Sequence, residues 1–326
     1  MILVTGGTGF TGNVLIRKLC NLGCQVRVIA RPTSNRSAIA DLPIEWIEGD
    51  VFDENTVRQG MSGVNYVFHV AAAFREAKID DNIYELVHVK STKLLAHAAM
   101  DNPEFKRFVH VSTVGVLGHI KKPPSDETTP MNPGDVYQET KAVAEKWMLA
   151  FYKETGLPVT VVRPAAIYGP GDRRLLKLFK MAKMPVVPII GFSKGLYHLI
   201  HVEDLVSFMV LVAVSPNTIG QIYICGNPEP SSIKEIIKTI AEYLGKKPIF
   251  IRLPAWPFFM LGDICEFVCK PLNIEPPIYR RRVAFFTKDR AFDTTKMRRE
   301  TGFDYQYSNK DGLVETAKIY VENGWL

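Results

Sequence analysis

Short apolar runs alternate with longer amphipathic stretches through the first half of the chain. The runs are apolar nearly throughout, as strands are when helices cover both faces of a parallel sheet. The stretches between them carry apolar residues at helical spacing, clearly around 10–22, 80–101 and 135–155. This alternation predicts an α/β fold built on a doubly wound parallel sheet. Its predicted strands lie at 2–5, 25–30, 44–48, 66–70, 108–112 and 159–163.

The pattern changes after Arg163, where prolines and glycines become dense in segments such as RPAAIYGPGD and GNPEPSS. Neither periodicity continues through these segments, so we predict a smaller mixed region here. We expect this region to pack over the carboxyl ends of the strands, where ligands bind in open α/β sheets. We therefore predict a first domain over 1–163, to which the chain returns later, and a mainly substrate-binding region over 164–326.

Composition sets limits on the function. The chain has 326 residues, of which 47% are hydrophobic and 23% charged, as in ordinary globular proteins. Its net charge of +6 is spread over short basic runs, which argues against a nucleic-acid partner. The five cysteines lack metal-ligand spacing and predict free thiols, no metal site and a cytoplasmic location. We also predict no signal peptide, because the first strand begins at Ile2.

The first predicted strand ends in a glycine-rich turn, TGGTGFTG, with glycines at Gly6, Gly9 and Gly12. Glycine is required where the backbone takes a positive φ and where a pyrophosphate approaches the main chain. An apolar helix follows at once, so its free N–H groups and its dipole face the same place. The turn predicts a Rossmann-type dinucleotide site that includes Phe10 and Thr11. A tight turn that binds nothing is the alternative.

The end of strand 2 bears on which dinucleotide is bound. An acidic residue commonly bonds the ribose hydroxyls of NAD at this place. The sequence VRVIARPTSNRS has no acid there and instead has Arg31 at the strand end and Arg36 in the loop. Arg31 could bind the 2′-phosphate of NADP, so NADP(H) is favoured and NAD(H) stays open. An exposed loop arginine is the alternative.

Two more strand ends complete the predicted cofactor site. Strand 3 runs into Asp50 and Val51, which could bracket the adenine. Strand 4 ends in HVAAAF, where small side chains would let the cofactor lie against the backbone. The residues with those small side chains are Ala71, Ala72 and Ala73.

Tyr137 and Lys141 lie one helical turn apart in the segment VYQETKAVAEKW. At that spacing both side chains project from one face of a helix. A lysine ammonium near a phenol stabilises the phenolate and lowers its pKa, so Tyr137 could be the general acid or base between an alcohol and a ketone. Lys141 could also hold the nicotinamide ribose. A surface Tyr–Lys pair is the alternative.

Ser112 and Thr113 end strand 5 in the segment FVHVSTVGVLG. They stand at the carboxyl edge of the predicted sheet. A hydroxyl there could bond the substrate oxygen and orient it toward Tyr137. The alternative is that one of the two hydroxyls does not face the site and only caps the end of the strand.

These segments together resemble an extended short-chain dehydrogenase/reductase of the NAD-dependent epimerase/dehydratase family. The motifs TGGTGFTG, GDVFD, HVAA, VSTVGV, YQETK, RPAAIYGPGD and HVEDLV occur in that family's order and span nearly the whole chain. The resemblance implies catalytic roles for Tyr137, Lys141 and Thr113. It also implies that Pro164 and Ile167 touch the nicotinamide and that the protein is a homodimer.

Two positions, His88 and Ala166, depart from that family's pattern. His88 replaces the asparagine of the family's N-V-x-G-T segment, which leaves the role of this position open. Ala166 replaces an asparagine that contacts the sugar nucleotide in many members, so one expected diphosphate anchor is missing. His69 and His201 are expected to be structural residues.

Residues 254–269, PAWPFFMLGDICEFVC, form an apolar segment in the predicted substrate region. This segment and the residues after it are similar to the branch with 3β-hydroxysteroid and sterol-4-carboxylate dehydrogenases, near dihydroflavonol reductases. The similarity implies hydride transfer at a secondary alcohol or ketone of a bulky apolar substrate. The segment could be a pocket wall, a helix in the core or in a dimer interface, or a peripheral membrane contact.

Three functions follow, in order of preference. The first is an NADP(H)-preferring oxidoreductase that acts on a small apolar hydroxy or keto compound. The second is a nucleotide-sugar 4-epimerase or dehydratase, against which Ala166 and Arg31 argue. The third is a non-catalytic cofactor-binding or RNA-binding protein, and it is the least favoured because Tyr137 and Lys141 are both present.

Overall fold

The computed structural model describes residues 1–73, 80–192, 195–269, 283 and 287–326. Its strands are β1 Ile2–Thr5, β2 Val26–Ala30, β3 Ile44–Glu48, β4 Tyr66–His69, β5 Arg107–Val111, β6 Val159–Pro164, β7 Ala166–Tyr168, β8 Val186–Ile190, β9 Leu196–Tyr197, β10 Leu199–His201, β11 Ile222–Cys225, β12 Ser231–Ser232 and β13 Ile249–Leu253.

The helices separate these strands along the chain. The α-helices are α1 Phe10–Asn21, α2 Glu54–Met61, α3 Asp81–Tyr84, α4 Ser91–Met100, α5 Val136–Thr155, α6 Leu176–Met181, α7 Val202–Val214, α8 Ile233–Tyr243, α9 Trp256–Cys269, α10 Thr295–Thr301 and α11 Asn309–Glu322. A π-helix, Glu85–Lys90, joins α3 to α4. Short 3₁₀-helices lie at Ser37–Ile39, Val114–Leu117 and Pro216–Thr218.

Seven parallel strands form the central sheet in the order β11–β6–β5–β4–β1–β2–β3. The predicted doubly wound fold is confirmed, and each of the six predicted strands lies within one residue of its observed bounds. The seventh strand, β11, comes from the second half of the chain. The boundary between 163 and 164 stays a prediction. The helix predicted over 80–101 is continuous but contains the π-helical segment.

Successive side chains of a strand point to opposite faces of the sheet, so each strand contributes to the helix layers on both faces. Leu3 packs with helices α2, α4 and α5 on one face, whereas its neighbour Val4 packs with α1 and α7 on the other. Both are fully buried, so β1 needs apolar residues at every position. A third apolar cluster, which includes Phe179 and Ile237, joins α6, α8 and α11 in the second region. The small pairs β7–β10, β8–β13 and β9–β12 belong to that region.

Candidate active site

The glycine turn lies where the order of the sheet reverses, because β1 is flanked by β2 on one side and β4 on the other. Ligands bind at such a switch point. Gly6 has a φ of +70°, and a Cβ there would lie 2.7 Å from the Cα of Ala71. A Cβ on Gly12 would overlap the carbonyl oxygen of Gly6. The turn, the end of β4 and the start of α1 therefore meet backbone to backbone.

The first turn of α1 is open to an anion. Its N-cap is Gly9, which has no side chain to occupy the free N–H groups, and the first turn has no acidic residue. Thr11 is buried, and Phe10 is half-buried with the Arg174 guanidinium 5.6 Å from its ring centre. The backbone N–H groups and the positive dipole end of α1 thus fit the pyrophosphate of a dinucleotide.

The two arginines after β2 have different surroundings. Arg36 pairs with Glu48 at 2.7 Å, and its guanidinium lies 4.6 Å from the centre of the Trp46 ring. Arg31 is exposed at the carboxyl end of β2 and makes no side-chain hydrogen bond or ion pair within the described residues. Arg31 is therefore the more available of the two for a ligand.

The turn after β3 and the turn after β4 lie at the same carboxyl edge of the sheet, beside the crevice of the switch point, with β2 and β1 between them. Asp50 and Val51 are half-buried between β3 and α2. After β4, Ala71 and Ala73 are buried and Ala72 is exposed. The N–H of Ala71 donates to Thr5 Oγ1 at 3.4 Å, so this turn is tied to β1. The structure places these strand ends at one edge of the sheet, and their contacts with a cofactor stay predictions.

Helix α5 carries Tyr137 and Lys141 to this edge of the sheet. The Asp135 side chain caps the helix by accepting from the N–H of Gln138 at 3.0 Å. Lys141 is only 2% exposed, and its Nζ donates to the carbonyl of Val111 at 3.0 Å and to that of Ala71 at 3.4 Å. The ammonium is thus held between the ends of β4 and β5.

Burial changes the chemistry of that lysine. Desolvation lowers the pKa of Lys141 to about 8, and the carboxylate of Glu145 opposes this shift. The ammonium is therefore mostly protonated at neutral pH and loses its proton in mildly alkaline solution. Tyr137 is half-buried one helical turn before it, with its ring centre 5.3 Å from that of His88 in an edge-to-face contact.

Ser112 and Thr113 follow β5 and have different partners. The Ser112 hydroxyl donates to Glu145 Oε2 at 2.5 Å and is buried beneath the helix. Thr113 is half-buried, and its Oγ1 accepts from the N–H of Gly115 at 3.0 Å. Because that bond uses a lone pair, the Thr113 hydroxyl proton is left to donate elsewhere. Thr113 is thus better suited than Ser112 to bind a substrate oxygen.

The segment after β6 lies beside these groups. Pro164 ends β6 and is buried, whereas Ala166 and Ile167 are half-buried in β7. The carbonyl of Ile167 accepts from Arg174 at 3.1 Å. His201 is buried at the N-cap of α7 and stacks on Tyr307 at 3.8 Å between ring centres, and its structural role stays a prediction.

The comparison with known families agrees with this geometry. The NAD dependent epimerase/dehydratase family matches residues 2–226. The chain belongs to this family. As an epimerase/dehydratase-family protein, it is an enzyme of the oxidoreductase type that uses a nicotinamide dinucleotide.

Relatives of this epimerase/dehydratase-family chain extend over its whole length. A 3 beta-hydroxysteroid dehydrogenase/Delta 5→4-isomerase of Mycobacterium tuberculosis is 30% identical, over 98% of this chain and 90% of its own. The dTDP-glucose 4,6-dehydratase of Streptomyces niveus is 29% identical, over 99% and 93%. The crystal structure of gox2253 has a TM-score of 0.83 and 27% identity, covering 100% of this chain and 99% of that one. The predicted family is confirmed, and its hydroxysteroid dehydrogenase branch is among the relatives.

A buried ion pair beneath α5 of this family member was not predicted from the sequence. Arg163 donates to both carboxylate oxygens of Glu145, at 2.6 and 3.0 Å for one oxygen and 3.2 Å for the other. Glu145 is fully buried and Arg163 is 2% exposed. The signal available in the sequence was the position of Glu145, one further turn along the face that carries Tyr137 and Lys141.

Helix α9 covers most of the apolar segment 254–269. One side of it is exposed, with exposed fractions of 65% at Trp256, 56% at Ile264 and 82% at Phe267. A helix packed wholly into the core is therefore ruled out for this segment. Within the described residues, no helix is both long and apolar enough to cross a lipid bilayer.

Proposed function

We propose that the protein is an NADP(H)-preferring oxidoreductase that acts on a secondary alcohol or ketone of a bulky apolar compound. The observation that carries the proposal is the buried ammonium of Lys141 one helical turn from Tyr137, at the switch point of the sheet. The family and its hydroxysteroid dehydrogenase relative support the type of reaction. Ala166, in a position where an amide would bind a sugar nucleotide, supports an apolar substrate.

A dinucleotide bound here would provide the nicotinamide that supplies the hydride in reduction and accepts it in oxidation. In reduction, Tyr137 Oη gives its proton to the substrate carbonyl oxygen, and in oxidation it takes the proton from the hydroxyl. Thr113 donates a hydrogen bond that orients the same substrate oxygen. The Lys141 ammonium stabilises the phenolate of Tyr137 and so lowers its pKa.

We expect groups of the chain along the crevice to hold the dinucleotide. The turn formed by Gly6, Gly9 and Gly12, with Phe10 and Thr11 at the start of α1, would bind its pyrophosphate. Asp50 and Val51 would bracket the adenine, and Ala71, Ala72 and Ala73 would let the cofactor lie against the backbone. Lys141, Pro164 and Ile167 would border the nicotinamide riboside, and Arg31 would bind a 2′-phosphate.

Replacement of the general acid tests the reaction. Tyr137→Phe is expected to lower turnover of apolar ketones by 100-fold or more, on the order of 10² to 10⁴ for a lost proton donor. Binding of NADPH, followed by its fluorescence, is expected to stay within about threefold of wild type. The control is Tyr243→Phe, because Tyr243 is 41% exposed on α8. Full turnover by Tyr137→Phe would overturn the proposal.

The cofactor preference is tested separately at the end of β2. Arg31→Ala is expected to weaken NADPH binding by about tenfold, since a charge-assisted bond to phosphate is lost, and to leave NADH binding unchanged. Arg36→Ala is the matched control, because Arg36 already pairs with Glu48. Equal effects of Arg31→Ala on NADPH and NADH would contradict the preference for NADP(H).

A nucleotide-sugar 4-epimerase or dehydratase is the second candidate, favoured by the dTDP-glucose 4,6-dehydratase relative. It predicts micromolar binding of a UDP- or TDP-sugar in calorimetry, which our first proposal excludes. A homodimer, a cytoplasmic location and peripheral membrane contact through 254–269 also stay predictions. Sedimentation of the purified protein measures the first, cell fractionation the second, and flotation with lipid vesicles the third.

A further inference from the structure

We propose that His88 is a positioning residue that locks the 71–73 turn to the helix carrying Tyr137 and Lys141. The proposal rests on the proposed function, since it concerns how the proton donor is held beside the cofactor crevice. His88 is 1% exposed and lies in the π-helix Glu85–Lys90, between the end of β4 and α5. Single π-helical turns within α-helices often occur at functional sites.

The two ring nitrogens of His88 join two distant parts of the chain. The backbone N–H of Ala73 donates to Nε2 at 3.1 Å. On the other side, Nδ1 lies 2.8 Å from Thr140 Oγ1. An amide N–H can only donate, so Nε2 carries no proton, and in the neutral ring Nδ1–H must donate to Thr140. The tautomer is thus determined by the backbone.

Thr140 connects His88 to α5, the helix that carries Tyr137. Its hydroxyl accepts from His88 and therefore points its own proton at the helix carbonyls, 2.8 Å from Val136 O and 3.2 Å from Tyr137 O. The side chain of Tyr137 also packs edge-to-face against the His88 ring, at 5.3 Å between centres. One imidazole therefore contacts the ring of Tyr137 directly and its backbone through Thr140.

A second histidine, His69, is connected by hydrogen bonds to the start of the same turn. The N–H of Ala71 donates to Thr5 Oγ1, which lies 2.7 Å from His69 Nδ1. His69 Nε2 lies 3.1 Å from Ser91 Oγ, whose proton goes to the carbonyl of Val87. Two parallel chains of hydrogen bonds thus run from the 71–73 turn into helices. Of the two, only the His88 chain reaches the helix of Tyr137.

A general base role for His88 does not fit its surroundings. Burial, together with the nearby charge of Lys141 and the ring of His110, lowers the pKa of His88 to about 2. Both nitrogens are already bonded, so neither is left to take a substrate proton. The His88 ring therefore stays neutral and keeps one tautomer near neutral pH, so its two hydrogen bonds persist without titration.

Titration with NADPH in the absence of substrate is the first measurement. His88→Ala leaves the N–H of Ala73 without an acceptor and frees Tyr137, so we expect NADPH to bind about fivefold more weakly. The limb of the pH–kcat/KM profile that reports the tyrosine is expected to move to higher pH by about half a unit, since Tyr137 moves away from the Lys141 charge. His88→Gln should restore most of both properties, because its amide can accept from Ala73 and donate to Thr140.

His110 offers a matched control for loss of packing. It is a fully buried histidine on β5, and neither ring nitrogen has a hydrogen-bond partner in the part of the chain that the structure describes. His110→Ala therefore opens a comparable cavity without cutting a hydrogen bond. We expect it to lower stability while leaving NADPH affinity and the pH limb within about twofold and about 0.2 units of wild type.

Thr140→Val keeps the test decisive if His88→Ala does not fold. It preserves the shape of the side chain and removes the hydroxyl that accepts from Nδ1–H and donates to the carbonyls of Val136 and Tyr137. It is therefore expected to shift both readouts in the same direction as His88→Ala. The proposal is overturned if Thr140→Val matches wild type in both, or if His88→Ala and His110→Ala behave alike. Because NADPH titration needs no turnover, this result stands apart from that of Tyr137→Phe, which tests the proposed function.

Discussion

The carboxyl edge of the central sheet and helix α9 differ in which side chains are buried. At the sheet edge, Lys141, Glu145 and His88 are polar and at most 2% exposed. On α9, Ile264 and Phe267 are apolar and 56% and 82% exposed. Buried polar groups are costly unless fully bonded, so the first region has a single arrangement. Exposed apolar groups contribute little to the fold, so the second is available for contacts with another molecule.

The largest expected effect comes from breaking the buried ion pair at the sheet edge. Glu145→Ala leaves the guanidinium of Arg163 and the hydroxyl of Ser112 without their acceptor, so the free energy of unfolding should fall by about 3–5 kcal/mol. Denaturant unfolding measures the change. Glu139→Ala, at an exposed position of the same helix, should stay within about 0.5 kcal/mol of wild type. Equal losses in the two variants would show that the pair is not what stabilises this edge.

An intermediate effect is expected on acidification. Burial lowers the pKa of His88 to about 2, of His110 to about 3 and of His201 to about 4, against an ordinary value of 6.5. Above pH 6.5 neither the folded nor the unfolded state protonates these rings, so they do not change stability. Below it the unfolded state takes up protons that the folded state does not, and each ring lowers stability by up to about 1.4 kcal/mol per pH unit.

The contribution of one ring can be isolated with His110→Gln. Desolvation raises the pKa of the half-buried Glu127 and of the buried Asp204, and these carboxyls change stability with pH in the opposite direction. The difference between wild type and His110→Gln cancels those groups. The free energy of unfolding in urea should therefore fall less steeply from pH 7.5 to 5 for the variant, by about 2 kcal/mol over that range. Parallel curves would mean that the folded protein protonates His110 as readily as the unfolded chain does.

The smallest expected effect concerns the exposed face of α9. Phe267→Ser should change the free energy of unfolding by less than about 0.5 kcal/mol, because the side chain is already in solvent. Phe179→Ala, at a fully buried position in the same half of the chain, should cost about 3–5 kcal/mol. A loss of several kcal/mol from Phe267→Ser would indicate that this face is covered in solution, and concentration-dependent unfolding would identify a second copy as the cover.

Much of the cofactor half could be predicted from local pattern. Alternation of apolar runs and helices predicted the six strands, and the positions of Gly6 and Gly12 predicted the tight turn between β1 and α1. The partners of Glu145 and His88 could not be predicted in this way. Arg163 is 18 residues from Glu145, and Thr140 is 52 residues from His88, so nothing in the neighbouring residues indicates either contact.

Properties that depend only on residues near in sequence could therefore be predicted from the sequence itself. Helical spacing places Tyr137 and Lys141 on one face, and a missing Cβ permits the φ of Gly6 in any surroundings. Burial, in contrast, is set by which distant segments pack together. The approach of β4, β5 and α5 removes water from Lys141 and lowers its pKa. The same packing places His88 between the 71–73 turn and α5, where its two hydrogen bonds allow a single tautomer. The same packing leaves α9 apolar and exposed, because no described segment covers that face.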